Sequence, residues 1–251
     1  MNMFSLENKT AIVTGGNAGL GRAIARALAE AGADIAVVSR SGAEEIEREV
    51  SALGRGFAYI RADLGEMDSA QIVIEKTLEK FGKIDILVNN AGIIRREDSL
   101  VFTEKDWDEV MNVNSKMLFF LSQAVANQMV KQGTGGKIIN TASMLSFQGG
   151  IRVPSYTASK SAVKGLTMLM ANEWAKYGIN VNAVAPGYME TDNTAPLRAD
   201  EKRYKEILDR IPAGRWGKPE DLAGTYVYLA SAASDYVTGF TIAVDGGWLA
   251  R

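Results

Sequence analysis

An α/β architecture, a doubly wound parallel sheet flanked by helices, follows from three features of this chain. Short apolar runs of strand length alternate with helical stretches at regular spacing. The first run leads through a glycine-rich turn into an alanine-rich helix. The 251 residues, 47% of them apolar, suffice for one large core, and no linker, repeat or low-complexity tract divides them. A single domain over residues 1–251 is expected, wound by right-handed crossovers.

Thr10-Ala-Ile-Val-Thr14 reads as a short buried strand running into Gly15-Gly-Asn-Ala-Gly-Leu-Gly21 and a helix over 22–31. Glycines there let the backbone turn tightly and approach a pyrophosphate, held by the free N–H groups and dipole of the helix terminus. Tight packing alone is the other account. The spacing is Gly15-x-x-x-Gly19-x-Gly21, not the common Gly-x-Gly-x-x-Gly.

The second strand, 34–39, ends where an adenosine ribose would meet it. An acid at that end would bind a 2′-hydroxyl, whereas this chain has Ser39 and Arg40, a pair better suited to a 2′-phosphate. The loop therefore leans toward NADP, unless Arg40 stacks on adenine or faces solvent. A helix (43–53), strand (56–61), helix (68–81) and strand (84–89) follow. Asp63-Leu64 after the third strand is placed to receive adenine. Asn89-Asn-Ala-Gly92 after the fourth has short side chains that allow close approach to a cofactor.

A helical region over 103–130 opens with Thr103-Glu-Lys-Asp, an N-cap signature. Within it Asn114 needs hydrogen-bond partners if its face is inward; a cap or helix-bending role is the alternative. Strands over 137–142, 179–185 and 241–244, a helix over 219–231 and the turn Pro186-Gly187 complete the frame. Between them, 188–216 shifts toward proline and charge, as a flap over a site or a solvated surface helix would.

The chemistry is concentrated in 143–160. Tyr156 and Lys160 are four residues apart, and the stripe Val163, Leu166, Met170 and Trp174 makes the segment helical, stacking phenol and ammonium on one face. A cation about 4 Å away at an effective dielectric of ~20 favours the phenolate by up to ~4 kcal/mol, which would bring Tyr156 within reach of neutral pH, less whatever burial takes back. Ser143, at the end of an apolar run, can present its hydroxyl to the same carbonyl oxygen.

With no Cys and no His, disulfides, thiolate chemistry, Cys/His zinc sites and a histidine base are excluded. A net charge of −2 gives no basic footprint for nucleic acid or an anionic membrane. The amino terminus lacks a signal-peptide core, and no apolar run reaches 18 residues, so a soluble cytoplasmic protein is expected.

Taken together, Thr14-Gly-x-x-x-Gly-x-Gly21, Asn89-Asn-Ala-Gly92, Asn114, Ser143, Tyr156-x-x-x-Lys160 and Pro186-Gly187 resemble the signature of the short-chain dehydrogenase/reductase family over nearly the whole chain. The resemblance implies a Rossmann-type sheet of seven strands, a nicotinamide cofactor, NAD(P)(H), and a homotetramer. It implies Tyr156 as proton donor or acceptor, Lys160 lowering its pKa and holding the nicotinamide ribose, Ser143 orienting the carbonyl, and Asn114 binding a water. Cofactor contacts would come from Gly15, Asn17, Gly19, Leu20, Gly21, Ser39, Arg40, Asp63, Leu64, Asn90, Ala91, Gly92, Tyr156, Lys160, Pro186, Gly187, Met189 and Thr191.

Further segments, among them 94–98, 142–156, 211–217 and 244–251, resemble members of the family that transfer hydride at C5 of deoxy keto sugar acids in uronate breakdown, usually with NAD. That habit conflicts with the reading of Arg40, which leaves the cofactor open between NAD and NADP. A keto sugar acid calls for a cation: Arg95 and Arg152 are the candidates, with Gln148, Tyr188 and Trp216 lining the remaining surface. A ketoacyl carrier-protein reductase, a sugar-alcohol dehydrogenase and a non-catalytic NAD(P) sensor are the rival readings.

Overall fold

The computed structural model describes residues 2–251, and its frame is the expected parallel sheet. Among these residues seven strands pair in the order β3-β2-β1-β4-β5-β6-β7, every neighbouring pair parallel. They are β1 (Thr10–Thr14), β2 (Asp34–Ser39), β3 (Phe57–Arg61), β4 (Ile86–Asn89), β5 (Gly136–Thr141), β6 (Ile179–Pro186) and β7 (Thr241–Val244). The helices are α1 (Gly19–Glu30), α2 (Glu44–Ala52), α3 (Ser69–Phe81), α4 (Glu104–Met111), α5 (Leu118–Gln132), α6 (Pro154–Trp174), α7 (Ala195–Ala199), α8 (Glu201–Leu208) and α9 (Glu220–Ala230).

Helices cover both faces of the sheet, so successive side chains along one strand enter different cores. Ile12 joins Leu87, Ile138 and Val181 against residues of α3, α5 and α6, while its neighbours Ala11 and Val13 join Ile35, Ile86 and Val184 against α1, α2 and α9. The winding reverses between β1 and β4. Sheets of this kind bind ligands in the crevice at the carboxyl ends of the strands at such a point.

Two expectations are revised. The helical region over 103–130 is broken: α4 and α5 are separated by a π-helical turn, Asn112–Met117. Thr103 caps α4 as expected, its hydroxyl accepting from the Asp106 N–H at 3.1 Å. The wider turn is held by its asparagines, since Asn112 donates to the Gly65 carbonyl at 2.7 Å and Asn114 engages the loop after β4. Such turns are frequent at functional sites.

The second revision concerns 188–216. Its inner side is not a simple surface helix but carries a small core of its own, in which Ile207, Ile211 and Trp216 pack with Met144 and Trp248. Its two ends pair in parallel through Met189 and Gly217. Among the described residues no helix is long and apolar enough to cross a membrane.

Candidate active site

The glycine turn after β1 and the loop after β4 are tied together by one threonine and one asparagine. Thr14 Oγ1 accepts from the N–H groups of Asn90 and Ala91, each at 3.0 Å, and Asn90 Nδ2 donates back to the Thr14 carbonyl at 3.0 Å. Gly15 and Gly19 have φ of 64° and 51°, the left-handed region that glycine alone enters freely. At Gly21 a Cβ would lie 2.0 Å from the Gly15 carbonyl oxygen, so no side chain fits.

These features fit a dinucleotide. Helix α1 begins at Gly19 rather than at 22, Ala18 before it has no side chain to cap the first turn, and that turn contains no acid. Its free N–H groups and dipole suit a pyrophosphate. Above the turn, a Cβ on Gly19 would meet only Thr191, at 3.9 Å, among the described residues. Leu20 packs its side chain into the α1 core instead.

At the ribose end, Ser39 Oγ donates to the Ser41 carbonyl at 2.5 Å and Asn17 Nδ2 donates to Ser41 Oγ at 3.1 Å. Arg40 is exposed, with no carboxylate in ion-pair range among the described residues. Asp63 accepts the Gly65 N–H at 2.9 Å, and Leu64 packs against the core below it. On the other flank Pro186 ends β6 beside Val244, and Gly187 lies so close to Asp245 that a Cβ would meet its Cα at 2.5 Å. Met189 is buried, and Thr191 caps the short turn that follows.

Ser143, just past β5, and Tyr156, in the first turn of α6, are brought side by side. Lys160 lies one helical turn further, its Nζ 5.6 Å from the Tyr156 ring centre and donating to the Thr141 carbonyl at 2.5 Å. Asn114 makes a reciprocal pair with Ile93: its Oδ1 accepts the Ile93 N–H at 2.8 Å and its Nδ2 donates to the Ile93 carbonyl at 2.9 Å. The same Nδ2 donates to Ser159 Oγ at 3.1 Å, tying the loop to α6. A Cβ on Gly92 would stand 3.2 Å from Asn114 Oδ1 and 3.8 Å from Lys160 Nζ.

The electrostatics differ from the simple phenol–ammonium argument. Burial pushes the Tyr156 phenol above its ordinary value, with the Ser143 hydroxyl and the Arg96 guanidinium pulling the other way. Burial also lowers the Lys160 ammonium from 10.5 to about 8. Burial is the largest influence on each group, so in the protein by itself Tyr156 holds its proton at neutral pH.

The substrate side departs further from expectation. Arg95 is committed to Glu109, through Nε at 3.1 Å and Nη2 at 2.8 Å, with Asp106 at 3.5 Å. Arg152, held at φ 62°, faces Glu97 at 3.4 Å, and its carbonyl accepts the Glu97 N–H. Trp216 is only 2% exposed, stacked with Tyr204 and edge-on to Tyr188, so it supports the wall rather than lining it. Gln148 Oε1 accepts from Arg210 and from the Trp248 indole at 3.2 Å, and Tyr188 packs on Trp248 at 4.8 Å between ring centres. Arg96, Arg210 and Trp248 were not foreseen. Arg96 sits beside Arg95 in sequence, and only Glu109 and Asp106, on α4, tell the two apart.

Comparison with known proteins gives likeness along the whole chain. A family described as enoyl-(acyl carrier protein) reductase matches residues 15–249. The chain is 63% identical over 251 residues to the 2-dehydro-3-deoxy-D-gluconate 5-dehydrogenase of Dickeya dadantii, covering 100% of this chain and 99% of that one. A crystal structure described as a 2-deoxy-D-gluconate 3-dehydrogenase from Agrobacterium tumefaciens, with bound NADP, superposes with a TM-score of 0.94 at 55% identity, all of both chains covered. That of a gluconate 5-dehydrogenase from Burkholderia cenocepacia, with NADP and tartrate, gives 0.95 at 40% identity, covering 100% of this chain and 98% of that one.

The buried Lys160 predicts a pH signature in the cofactor-free protein. The unfolded lysine keeps its proton to about 10.5 and the folded one only to about 8, so between these values the unfolded state binds more protons and stability rises with pH. The gain from this group approaches about 3 kcal/mol at ~1.4 kcal/mol per unit. Urea unfolding from pH 7.5 to 10.5 should show that rise in the wild type and its loss in Lys160→Met; parallel curves would contradict it.

Proposed function

The chain belongs to the short-chain dehydrogenase/reductase family and is an NAD(P)-dependent oxidoreductase, and we propose that it acts at C5 of a six-carbon deoxy keto sugar acid, interconverting 2-dehydro-3-deoxy-D-gluconate and its 2,5-diketo counterpart. The full-length 63% identity to the Dickeya enzyme carries the substrate assignment. The convergence of Ser143, Tyr156 and Lys160 at one crevice supports the chemistry.

The cofactor, when bound, supplies or accepts the hydride. Tyr156 gives its proton to the carbonyl oxygen as negative charge develops there, and Ser143 donates a hydrogen bond to the same atom. A phenol held protonated at neutral pH suits the donor role in reduction. Lys160, whose charge rests on one backbone carbonyl, has further N–H donors for a ribose hydroxyl. Asn114 acts by holding Gly92 and Ile93 in place. In oxidation the same groups run in reverse.

The glycine turn, Asn90 to Gly92 and Pro186 to Thr191 would hold the dinucleotide, beneath a covering segment at 188–216. NADP is the proposed preference: Arg40 is exposed at the end of β2 without a carboxylate, and the Agrobacterium and Burkholderia proteins carry NADP. Self-association as a tetramer is part of the reading, supported by exposed Trp107 on α4, Phe120 on α5 and Met168 and Leu169 on α6.

Oxidation of NADPH and NADH against a panel of keto acids, acyl thioesters and keto sugars tests the substrate class; selective turnover of the 2,5-diketo-3-deoxy hexonate is expected, and selective turnover of ketoacyl thioesters would overturn it. Tyr156→Phe should lower kcat by several orders of magnitude with the Kd for NADPH near normal, whereas retained turnover removes Tyr156 from the role. Arg40→Asp should raise KM for NADPH far more than for NADH; equal changes would show that Arg40 does not read the 2′-phosphate.

A further inference from the structure

Three arginines stand around the crevice, in the loops after β4 and before α6. Two are already neutralised. Arg95 places two guanidinium nitrogens on Glu109 and has Asp106 at 3.5 Å, and Arg152 has Glu97 at 3.4 Å. A substrate carboxylate would have to compete with a built-in one at either position.

Arg96 differs. No carboxylate lies within 4.0 Å of it among the described residues, and its one hydrogen bond runs from Nη2 to the backbone carbonyl of Asn193, at 2.9 Å. A guanidinium has five N–H donors, and exchanging a neutral acceptor for a carboxylate converts a single ion–dipole hydrogen bond into a two-pronged ion pair. Its backbone is fixed on both sides. Ile93 is locked by the Asn114 amide, and the Glu97 N–H is bonded at 3.0 Å to the Arg152 carbonyl, which the left-handed turn at Arg152 presents. The bond to Asn193 carries the side chain across to the 188–216 segment. Arg96 thus links the loop after β4 to that segment, and its charge is felt at the Tyr156 phenol.

We propose that Arg96 is the specificity-determining residue that receives the substrate carboxylate, leaving Arg95 and Arg152 to hold the loop in which it sits. The inference rests on the sugar-acid reading above and names the group that reads the acid. A carboxylate bound there lies at one end of a short carbon chain whose carbonyl reaches Tyr156 at the other.

The test compares a keto sugar acid with its methyl ester in wild type, Arg96→Gln, Arg96→Lys, Arg95→Gln and Arg152→Gln. In Arg96→Gln, KM for the acid should rise roughly 10- to 100-fold, the span expected for losing one charged hydrogen-bond partner. The KM for NADPH should stay unchanged, which also reports a folded protein, the ester's kcat/KM should fall far less than the acid's, and Arg96→Lys should recover part of the loss. Equal losses for acid and ester, or a preference for the acid that survives in Arg96→Gln but vanishes in Arg95→Gln or Arg152→Gln, would overturn the proposal while leaving the substrate reading intact. A wild type that turns over acid and ester equally well would sink both.

Discussion

The reciprocal pairing of the Asn114 amide with the N–H and carbonyl of Ile93 is the constraint on which the rest of the crevice depends. Asn114 is almost fully buried, so losing either bond would leave a desolvated polar group, at a cost of about 1–3 kcal/mol. Through this pair the loop after β4 is held against α6, which sets Gly92 beside Lys160. The π-helical turn gives the asparagine its position, and Ser159 on α6 accepts the remaining amide hydrogen. A local departure from α-helical geometry is thereby repaid with three hydrogen bonds.

A second lattice does the same at the other side of the crevice. Thr14 and Asn90 join the glycine turn to that loop, so three hydrogen bonds bind the two backbones to each other. The glycines follow from this closeness: Gly21 stands where any side chain would strike the Gly15 carbonyl. Around Tyr156 and Lys160, burial dominates the charge balance. It raises the Tyr156 phenol and lowers the Lys160 ammonium to about 8, which keeps the phenol a proton donor.

The far wall is organised by aromatic packing. Tyr188, Tyr204, Trp216 and Trp248 form a stack in which Trp248 supports the 188–216 segment. Gln148, in the loop after Ser143, accepts from the Trp248 indole and from Arg210, which itself lies 3.9 Å over the Trp248 ring. The loop carrying Ser143 and the 188–216 segment are thus joined through side chains distant in sequence.

Strand and helix alternation, the glycine turn, the β4 motif and the Tyr-x-x-x-Lys pair could all be read along the chain, because each rests on local periodicity or on residues within one helical turn. The parallel sheet and the position of the crevice follow from the same pattern. Partner choice among charged side chains could not be read in this way. Arg95, Arg96 and Arg152 look equivalent in one dimension; folding sets α4 carboxylates against the first and Glu97 against the last, and leaves Arg96 with a backbone carbonyl. The protonation preference of Tyr156 was hidden for the same reason. Desolvation depends on how many atoms the folded chain packs around a group, a property of three-dimensional neighbours that sequence spacing does not carry.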